Sequence, residues 1–389
     1  MEKRGLREQL KAGVEELGKE AISTSHYIHD HPELGKKEYK SSSRLIQDLE
    51  DHGFSVEKGV GGMETAFKAR LQGKGKGPRI AFLAEYDALG SLGHACGHNF
   101  IGAASTFAGI SFQNIMKDLN GEILVIGTPA EETEGGKVIL LEKGVFEDID
   151  MAMMVHPSSE TRLEPKTLAS QVWEFEFRGR PAHAAAMPWK GINALDALIQ
   201  MFVSIDQMRK QQRPTVRTPG IITYGGERPN IVPERAVGQF SCRGENFEEF
   251  KNVLKRVKKS AEGAATATGA TVKARAIAPV YKDLKSNQRL VGLFEENWLS
   301  VGGKIEIETE RGQGSLDVGN LSHEKPCIHP TISIAPKGVS NHTKEFAKCA
   351  KSSRADAQLI KAIKALALTA LDVLLAPGIL EDGKKELET

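Results

Sequence analysis

The sequence has few cysteines, no long apolar run and almost no net charge. Four cysteines in 389 residues, without a C-x-x-C pair, exclude a disulfide-rich miniprotein and favour reduced thiols in the cytoplasm. Lysine and arginine total 52 against 51 acidic residues, so there is no basic surplus to bind nucleic acid. The charged amino-terminal segment has no apolar signal core, and we expect neither export nor a membrane span.

The order of apolar patterns indicates two kinds of domain. Early in the chain, short apolar strands alternate with helices, which is typical of a mostly parallel sheet flanked by helices. The middle of the chain has the pattern of an antiparallel sheet with one polar face. A helix–strand–helix pattern then returns, with an apolar strand at Thr331–Ile334. We therefore predict an α/β catalytic domain in two pieces, 1–170 and 286–389, with an α+β domain inserted at 171–285.

Glycine and lysine alternate at Gly73–Gly77. A phosphate-binding loop joins a strand to a helix, whereas this segment lies between two predicted strands. We therefore predict that it is the turn of a glycine-rich hairpin.

Side chains that bind metal ions follow four of the predicted strands. In an open α/β sheet, ligands lie beyond the carboxyl ends of the strands, so these side chains should converge. They offer a thiol, imidazoles and carboxylates, the donors that zinc and similar divalent ions prefer. Of two adjacent glutamates, one could bind metal while the other handles protons. The candidates are Cys96, His98, Glu131, Glu132, His156 and His342.

Each candidate also has a structural interpretation. Cys96 alone could be a buried thiol, Glu131 could stabilise a helix amino terminus, and His342 could lie on the surface. A second group ends the first helix at a proline, and there we expect capping and packing more than metal binding. It consists of His26, His29, Asp30 and His31.

The predicted inserted domain contains three further candidates. His183 lies in a loop of small residues, where an imidazole can approach a ligand and donate to a developing oxyanion, or simply be an ordinary loop histidine. Asn230 offers an amide. Arg243 offers a guanidinium that could bind a carboxylate in a two-pronged fork or form a surface salt bridge.

Together these motifs resemble one family. The chain is similar over essentially its full length to the aminoacylase/carboxypeptidase-type amidohydrolases of metallopeptidase family twenty, and most of all to its aminobenzoyl-glutamate hydrolase and dipeptidase branch. The resemblance rests on Ile28–Leu34, Ala84–Leu89, His94–Asn99, Gly127–Glu132, Val155–Pro157, Gly179–Ala185, Asn230–Pro233, Gly314–Asn320 and Asn341–Thr343.

The resemblance implies a two-metal catalytic domain and an inserted lid domain that also makes a homodimer. It implies that Cys96 bridges two divalent ions, which could be zinc, manganese, cobalt or nickel, and that Glu131 is the general base. It further implies that Asp87 orients a ligand and that His183 reaches the substrate carbonyl across the dimer. The remaining implied metal ligands are His98, Glu132, His156 and His342, and the implied carboxylate holders are Asn230 and Arg243.

One position departs from the aminoacylase pattern. Those enzymes have a metal-binding histidine two residues before the aspartate, where this chain has Glu85. The resemblance to the amidohydrolase branch implies that the pair Cys96 and His98 replaces that histidine. A thiolate ligand does not by itself select one metal.

We therefore expect metal-dependent hydrolysis of an amide bond by activated water. The expected substrate is a small molecule: an N-acyl amino acid, an aminobenzoyl-glutamate-like compound or a dipeptide. An alternative is a metal-free binding or regulatory protein on the same fold. A serine hydrolase is disfavoured because Ser315 lacks a nucleophile elbow.

Overall fold

The computed structural model describes residues 3–306 and 314–387. Asparagine, serine or threonine side chains accept hydrogen bonds from backbone N–H groups at the starts of five helices, and these caps fix the first turn. These five helices begin at Ala194, Phe247, Gln288, Lys344 and Ser353. The α-helices are α1 (Lys3–Asp30), α2 (Tyr39–Asp51), α3 (His98–Ile110), α4 (Gly136–Glu142), α5 (Ala194–Arg209), α6 (Phe247–Thr268), α7 (Gln288–Ser300), α8 (Val318–Ser322), α9 (Lys344–Cys349), α10 (Ser353–Leu375) and α11 (Gly378–Leu387).

The strands form three sheets. Their orders are β1-β2-β4-β3-β5-β11, β10-β7-β9-β8 and β12-β6. The strands are β1 (Ser55–Lys58), β2 (Phe67–Gln72), β3 (Gly75–Ala84), β4 (Asn120–Gly127), β5 (Met151–Met153), β6 (His156–Ser158), β7 (Ala169–Arg178), β8 (Gly220–Tyr224), β9 (Arg235–Gly244), β10 (Thr271–Ala276), β11 (Cys327–Ile328) and β12 (Thr331–Ser333).

The six-stranded sheet is parallel through β4, β3, β5 and β11, whereas β1 and β2 run antiparallel at one side. Residues 80–84 of β3 are completely buried, as expected for a strand covered on both faces. Every residue of α3 is buried; this helix packs on β3 and is itself covered by α1 and α10. The predicted α/β class with a mostly parallel sheet is confirmed.

The chain divides into two compact units. The second unit is Thr167–Asp283 together with residues 314–316, and the first contains the other described residues. In the second unit, α5 and α6 pack on one another and on β9, around a core that includes Phe175, Leu198 and Phe240. The domain boundaries at 170/171 and 285/286 stay a prediction.

Two strand assignments differ from the expectation. The Gly73–Gly77 segment is not a hairpin turn, because β2 and β3 do not pair: β4 lies between them and bonds to both. The expected strand at Thr331–Ile334 forms as β12, but it pairs with β6 in a separate two-stranded sheet. The shorter β11 takes its place in the main sheet, beside β5.

Helix α10 is long and apolar because it lies in the core of the first unit. It packs against α1, α3 and α7, and its residues 365–374 are buried. Within the described residues, no single helix has the length and apolarity to cross a membrane. The pair α10 and α11 meets those two criteria only when taken together, and it is bent by 101°.

A substitution at Gly127, the last residue of β4, tests how tightly the six-stranded sheet packs. A Cβ atom on Gly127 would lie 2.2 Å from the Phe67 ring, which is itself fully buried. Gly127→Ala should therefore destabilise the fold by about 1–3 kcal/mol, the usual result of overpacking. The midpoint of urea unfolding measures this. The matched control is Gly90→Ala, where the added Cβ atom has no neighbour within 4 Å; equal midpoints for both variants would contradict the packing described.

Candidate metal centre

The loop after β3 brings a thiol and an imidazole to the amino terminus of α3. Gly97 precedes this helix in a left-handed conformation (φ 80°), and a Cβ atom there would lie 2.5 Å from the Pro157 ring. Only glycine allows this close approach. It places Cys96 and His98 beside the strand that begins at His156, and the Cys96 Sγ atom lies 3.5 Å from His156 Nε2.

The predicted ligands form three overlapping groups. Within each group, the nitrogen, oxygen and sulfur atoms all lie within 4.8 Å of one another. The groups are Cys96–His98–His156, Cys96–Glu132–His342 and His98–Glu131–Glu132. Cys96 belongs to two of the groups, which places its sulfur between two potential cation positions. The structure therefore brings these six predicted residues together, whereas their individual roles stay predictions.

Asp87 orients two members of this cluster. One of its carboxylate oxygens lies 2.9 Å from His98 Nδ1, and the other accepts a hydrogen bond of 3.0 Å from the Glu132 backbone N–H. Because Nδ1 of His98 is held in this way, its Nε2 atom faces the other candidate ligands. His156 is oriented similarly, since its Nδ1 atom lies 2.8 Å from the Pro157 carbonyl oxygen.

The donor set fits a pair of divalent cations. His98 Nε2 is buried and makes no hydrogen bond within the described parts of the chain. Yet carboxylate oxygens of Glu85 and Glu132 lie 3.4 and 4.0 Å from it. A cation placed between this nitrogen and these oxygens would supply the contact that the nitrogen lacks. Sulfur, imidazole and carboxylate donors suit zinc and other first-row divalent ions.

The charges within the cluster favour anionic ligands. Burial would raise the pKa of Cys96, but His156 and His98 lower it to about 6. Burial likewise opposes ionisation of Glu132, but the bond from His342 and the nearby His98 lower its pKa to about 2. Conversely, bonds to Cys96 and Glu132 raise the pKa of His342 to about 10. The charges of the cluster thus stabilise a thiolate at Cys96 and a carboxylate at Glu132.

Glu131 has an environment opposite to that of its neighbour Glu132. Burial, followed by the charges of Asp317 and Glu85, holds the pKa of Glu131 well above its usual range. The residue before it, Ala130, has a left-handed backbone (φ 62°), as does His342 (φ 63°). Non-glycine residues in this conformation are strained, and such strain concentrates at functional sites.

Sequence reasoning missed a buried lysine beneath the cluster. The side chain of Lys137 is fully buried; its Nζ atom donates to Asp317 Oδ1 at 2.9 Å and also to Glu85. Burial would raise the pKa of Glu85, but Lys137 lowers it to about 2. A lysine in the first turn of a short helix resembles a solvent-exposed residue, so the sequence gives no signal of this contact. The buried ring of His329 lies 5.4 Å from that of His156.

The second histidine group has other partners. His26 Nε2 lies 2.8 Å from a carboxylate oxygen of Asp356. His29 Nε2 lies 2.8 Å from the Ala347 carbonyl oxygen, and His31 Nδ1 lies 2.8 Å from the Tyr27 carbonyl oxygen. Among the described residues, none of these histidines belongs to a potential metal-binding group.

The remaining candidates lie in the second unit. His183 is exposed, and its Nδ1 atom accepts hydrogen bonds from the backbone N–H groups of Ala185 and Ala186. Because Nδ1 accepts, the neutral ring carries its proton on Nε2, which is available as a donor. The Asn230 carbonyl oxygen accepts from the Ala184 N–H at 3.0 Å, so the His183 and Asn230 loops are joined. Arg243, on β9, bonds to hydroxyl groups elsewhere in the unit.

Comparisons with known proteins agree with this geometry. The M20 peptidase dimerisation domain matches residues 170–267. The chain is 35% identical to an Xaa-Arg dipeptidase of Mus musculus, over 99% of this chain and 92% of the relative. It is 29% identical to one of the subunits of the p-aminobenzoyl-glutamate hydrolase of Escherichia coli K12, over 92% and 90% of the two chains.

A solved structure shares the fold. It is a dinuclear metal-binding peptidase of the M20 family from Bacillus subtilis, with a TM-score of 0.71 and 19% identity over 92% of this chain and 99% of that one. The sequence similarity to the mouse dipeptidase extends over both units, and the family assignment rests on it. The chain therefore belongs to the M20 family of metal-dependent peptidases and amide hydrolases.

Proposed function

We propose that this metal-dependent amide hydrolase cleaves a dipeptide, an N-acyl amino acid or an aminobenzoyl-glutamate-like compound, using Glu131 as general base. The observation that carries the proposal is the contact between Glu131 and the cluster of potential ligands, in which Cys96 belongs to two groups. The relatives named for dipeptides and aminobenzoyl-glutamate support these substrate classes.

Five side chains would hold two cations, each zinc, manganese, cobalt or nickel. They are Cys96, His98, Glu132, His156 and His342. When bound, such cations supply polarisation of the scissile carbonyl and activation of a water molecule. The chain's own contribution is to hold the donors in place, through Asp87 and through the bond of 2.9 Å from the His342 N–H to the Ala95 carbonyl oxygen.

Glu131 moves the protons. Burial and nearby carboxylates favour a proton on its side chain, so it can take a proton from water and keep it until the leaving amine needs it. Glu132, whose pKa is about 2, stays ionised and keeps its oxygens for ligation. The Nε2–H group of His183 donates a hydrogen bond to the oxyanion that forms from the carbonyl.

Removing the base should stop turnover without removing the metal. Glu131→Gln keeps the side-chain shape but cannot accept the proton, and we expect kcat to fall by about 100- to 10,000-fold. Steady-state kinetics on a dipeptide library measure the rate, and elemental analysis measures the metal content.

The matched control for this experiment is Glu134→Gln. That residue follows in the same loop, where its carboxylate pairs with Lys36 at 3.3 Å and accepts from Thr133 at the surface. This variant should keep its rate. A Glu131→Gln enzyme with undiminished kcat would show that another group is the base.

The proposal includes a homodimer through the second unit. On α5, Ile199 and Val203 lie one turn apart with 45% and 55% of their surface exposed. On the edge strand β8, Ile221 is 61% exposed, and edge strands can pair with another chain. These features support association of two copies, as does the match to a dimerisation domain. We also propose a cytoplasmic location, which the four free cysteines support.

A charge on the exposed face of α5 should separate the copies. Val203→Glu would place an unpaired carboxylate in an apolar interface, so we expect the mass in light scattering after gel filtration to fall from two chains to one, 42.3 kDa. Leu299→Glu, at an equally exposed leucine of the first unit, should leave the mass unchanged. A wild-type chain that already runs at the single-chain mass would contradict the dimer.

A further inference from the structure

The loop that carries Glu131 is held by a buried carboxylate of another segment. Glu38 directly precedes α2 and is completely buried. One of its oxygens accepts a hydrogen bond of 2.8 Å from the backbone N–H of Ala130. The other accepts a bond of 2.8 Å from the Thr65 hydroxyl. Both oxygens are therefore engaged by groups that are distant in sequence.

Helix capping does not account for the position of Glu38. Within the described chain, its side chain makes no hydrogen bond to the first turn of α2. The carboxylate of Glu33 takes that role instead, because its oxygens accept from the N–H groups of Lys40 and Ser41 at 3.0 and 2.9 Å. The Glu38 carboxylate is thus left for the loop.

Keeping this carboxyl group inside the protein is unfavourable. Burial, together with the nearby charge of Asp87, raises the pKa of Glu38 to about 7, although the bonds from Thr65 and Ala130 lower it in part. A neutral side chain of similar size would avoid this cost. Local features that oppose stability in this way are concentrated at functional sites.

The two peptide groups on either side of the Glu131 side chain are both held by carboxylates. The N–H of Ala130 donates to Glu38. The N–H of Glu132 donates to Asp87 at 3.0 Å. Ala130 has a left-handed backbone (φ 62°), a strained conformation that must be held by its surroundings. The bond to Glu38 fixes the peptide group at this residue, and with it the direction in which the next side chain leaves the loop.

The groups around Glu38 are themselves fixed. Tyr86 is completely buried and donates its hydroxyl to the Thr65 carbonyl oxygen. Gly35, three residues before Glu38, packs so closely on the loop that a Cβ atom there would lie 3.0 Å from the Ala130 Cα atom. The segment before α2 therefore forms a close-packed support for the loop.

A second polar link between the same two segments lies at the surface. Lys36 and Glu134 are 3.3 Å apart, and their side chains are 49% and 43% exposed. Exposed ion pairs contribute little, whereas a buried bond to a carboxylate is stronger. The bond between Glu38 and Ala130 is therefore the main polar link.

We propose that Glu38 is a positioning residue for the reaction, which holds the loop so that the Glu131 carboxyl group stays beside His98 and Glu132. The inference rests on the proposed function, in which Glu131 is the general base. Glu38 would act through the backbone of Ala130. A displacement of about 1 Å at a reacting group can cost roughly 100-fold in rate, so a bond of this kind is sufficient for a large effect.

Hydrogen exchange measured by mass spectrometry tests the positioning without needing turnover. The samples are the metal-loaded full chain and its variants Glu38→Ala and Glu38→Gln. In Glu38→Ala the Ala130 N–H loses its acceptor, so the amides of residues 130–135 should exchange about tenfold faster or more. Glu38→Gln should exchange like the wild type. Its amide oxygen can accept from Ala130, and its NH2 group can donate to the Thr65 hydroxyl.

Kinetics on the dipeptide library measure the consequence for the reaction. Glu38→Ala should lower kcat by about 10- to 100-fold and change KM less than about threefold, because the placement of the base affects the chemical step. Glu38→Gln should restore kcat to within about threefold of the wild type. Glu38→Asp keeps the charge but is one methylene shorter, so it should be as slow as Glu38→Ala. If Glu38→Ala does not fold, Glu38→Asp supplies both comparisons.

Asp48→Ala is the matched control. Asp48 is also a buried carboxylate of α2, and it likewise accepts from a threonine hydroxyl, that of Thr24 at 2.6 Å. Its loss should lower the midpoint of urea unfolding, but kcat and the exchange of residues 130–135 should not change.

The positioning role is overturned if the loop of Glu38→Ala exchanges as in the wild type, or if its kcat is unchanged. It is also overturned if Glu38→Asp is fast while Glu38→Gln is slow, since the charge and not the reach of the side chain would then matter. An equal loss of kcat in Asp48→Ala would indicate a general loss of stability and contradict it as well. Failure of the proposed function is separate: the wild type would hydrolyse nothing, while the exchange of the loop would still test the role of Glu38.

Discussion

The candidate metal centre is a group of ionisable side chains, buried at Cys96, His98 and His156 and exposed at His342, whose charges a cation would balance. Cys96 and Glu132 have lowered pKa values of about 6 and about 2, and the neighbouring imidazoles lower them. An imidazole must lose its proton to bind a metal, so cations and protons compete for the same positions. His342 is one such position: its Nε2 atom lies 3.1 Å from Glu132, and the bonds to Cys96 and Glu132 raise its pKa to about 10.

The same cluster assigns different properties to two consecutive glutamates. Glu132 lies beside imidazoles and stays ionised, whereas Glu131 lies near Asp317 and Glu85 and favours a proton. The Lys137 Nζ atom donates to both Glu85 and Asp317, so its positive charge lies between these two carboxylates. A pair of carboxyl groups with divergent pKa values is the arrangement that separates a ligand from an acid–base group. The buried lysine balances the charge of the carboxylates that lie near the proposed base.

Local patterns predicted which side chains lie together better than they predicted which strands pair. The candidate ligands could be found because each follows an apolar strand, and carboxyl ends of such strands meet at one edge. Which strands pair is a long-range property: the glycines at Gly73–Gly77 look like a hairpin turn, yet β4 lies between β2 and β3. Lys137 could not be found, because its contacts come from burial and from partners far apart in sequence.

The central claim is that the Cys96 sulfur and the surrounding imidazole and carboxylate groups hold the cations. X-ray absorption spectroscopy at the metal edge of reconstituted protein tests it most directly. The account predicts a sulfur neighbour, at about 2.3 Å if the metal is zinc, which disappears in Cys96→Ala but remains in Cys349→Ala. A coordination shell of nitrogen and oxygen alone in the wild type, or a sulfur signal that survives the loss of Cys96, would contradict it.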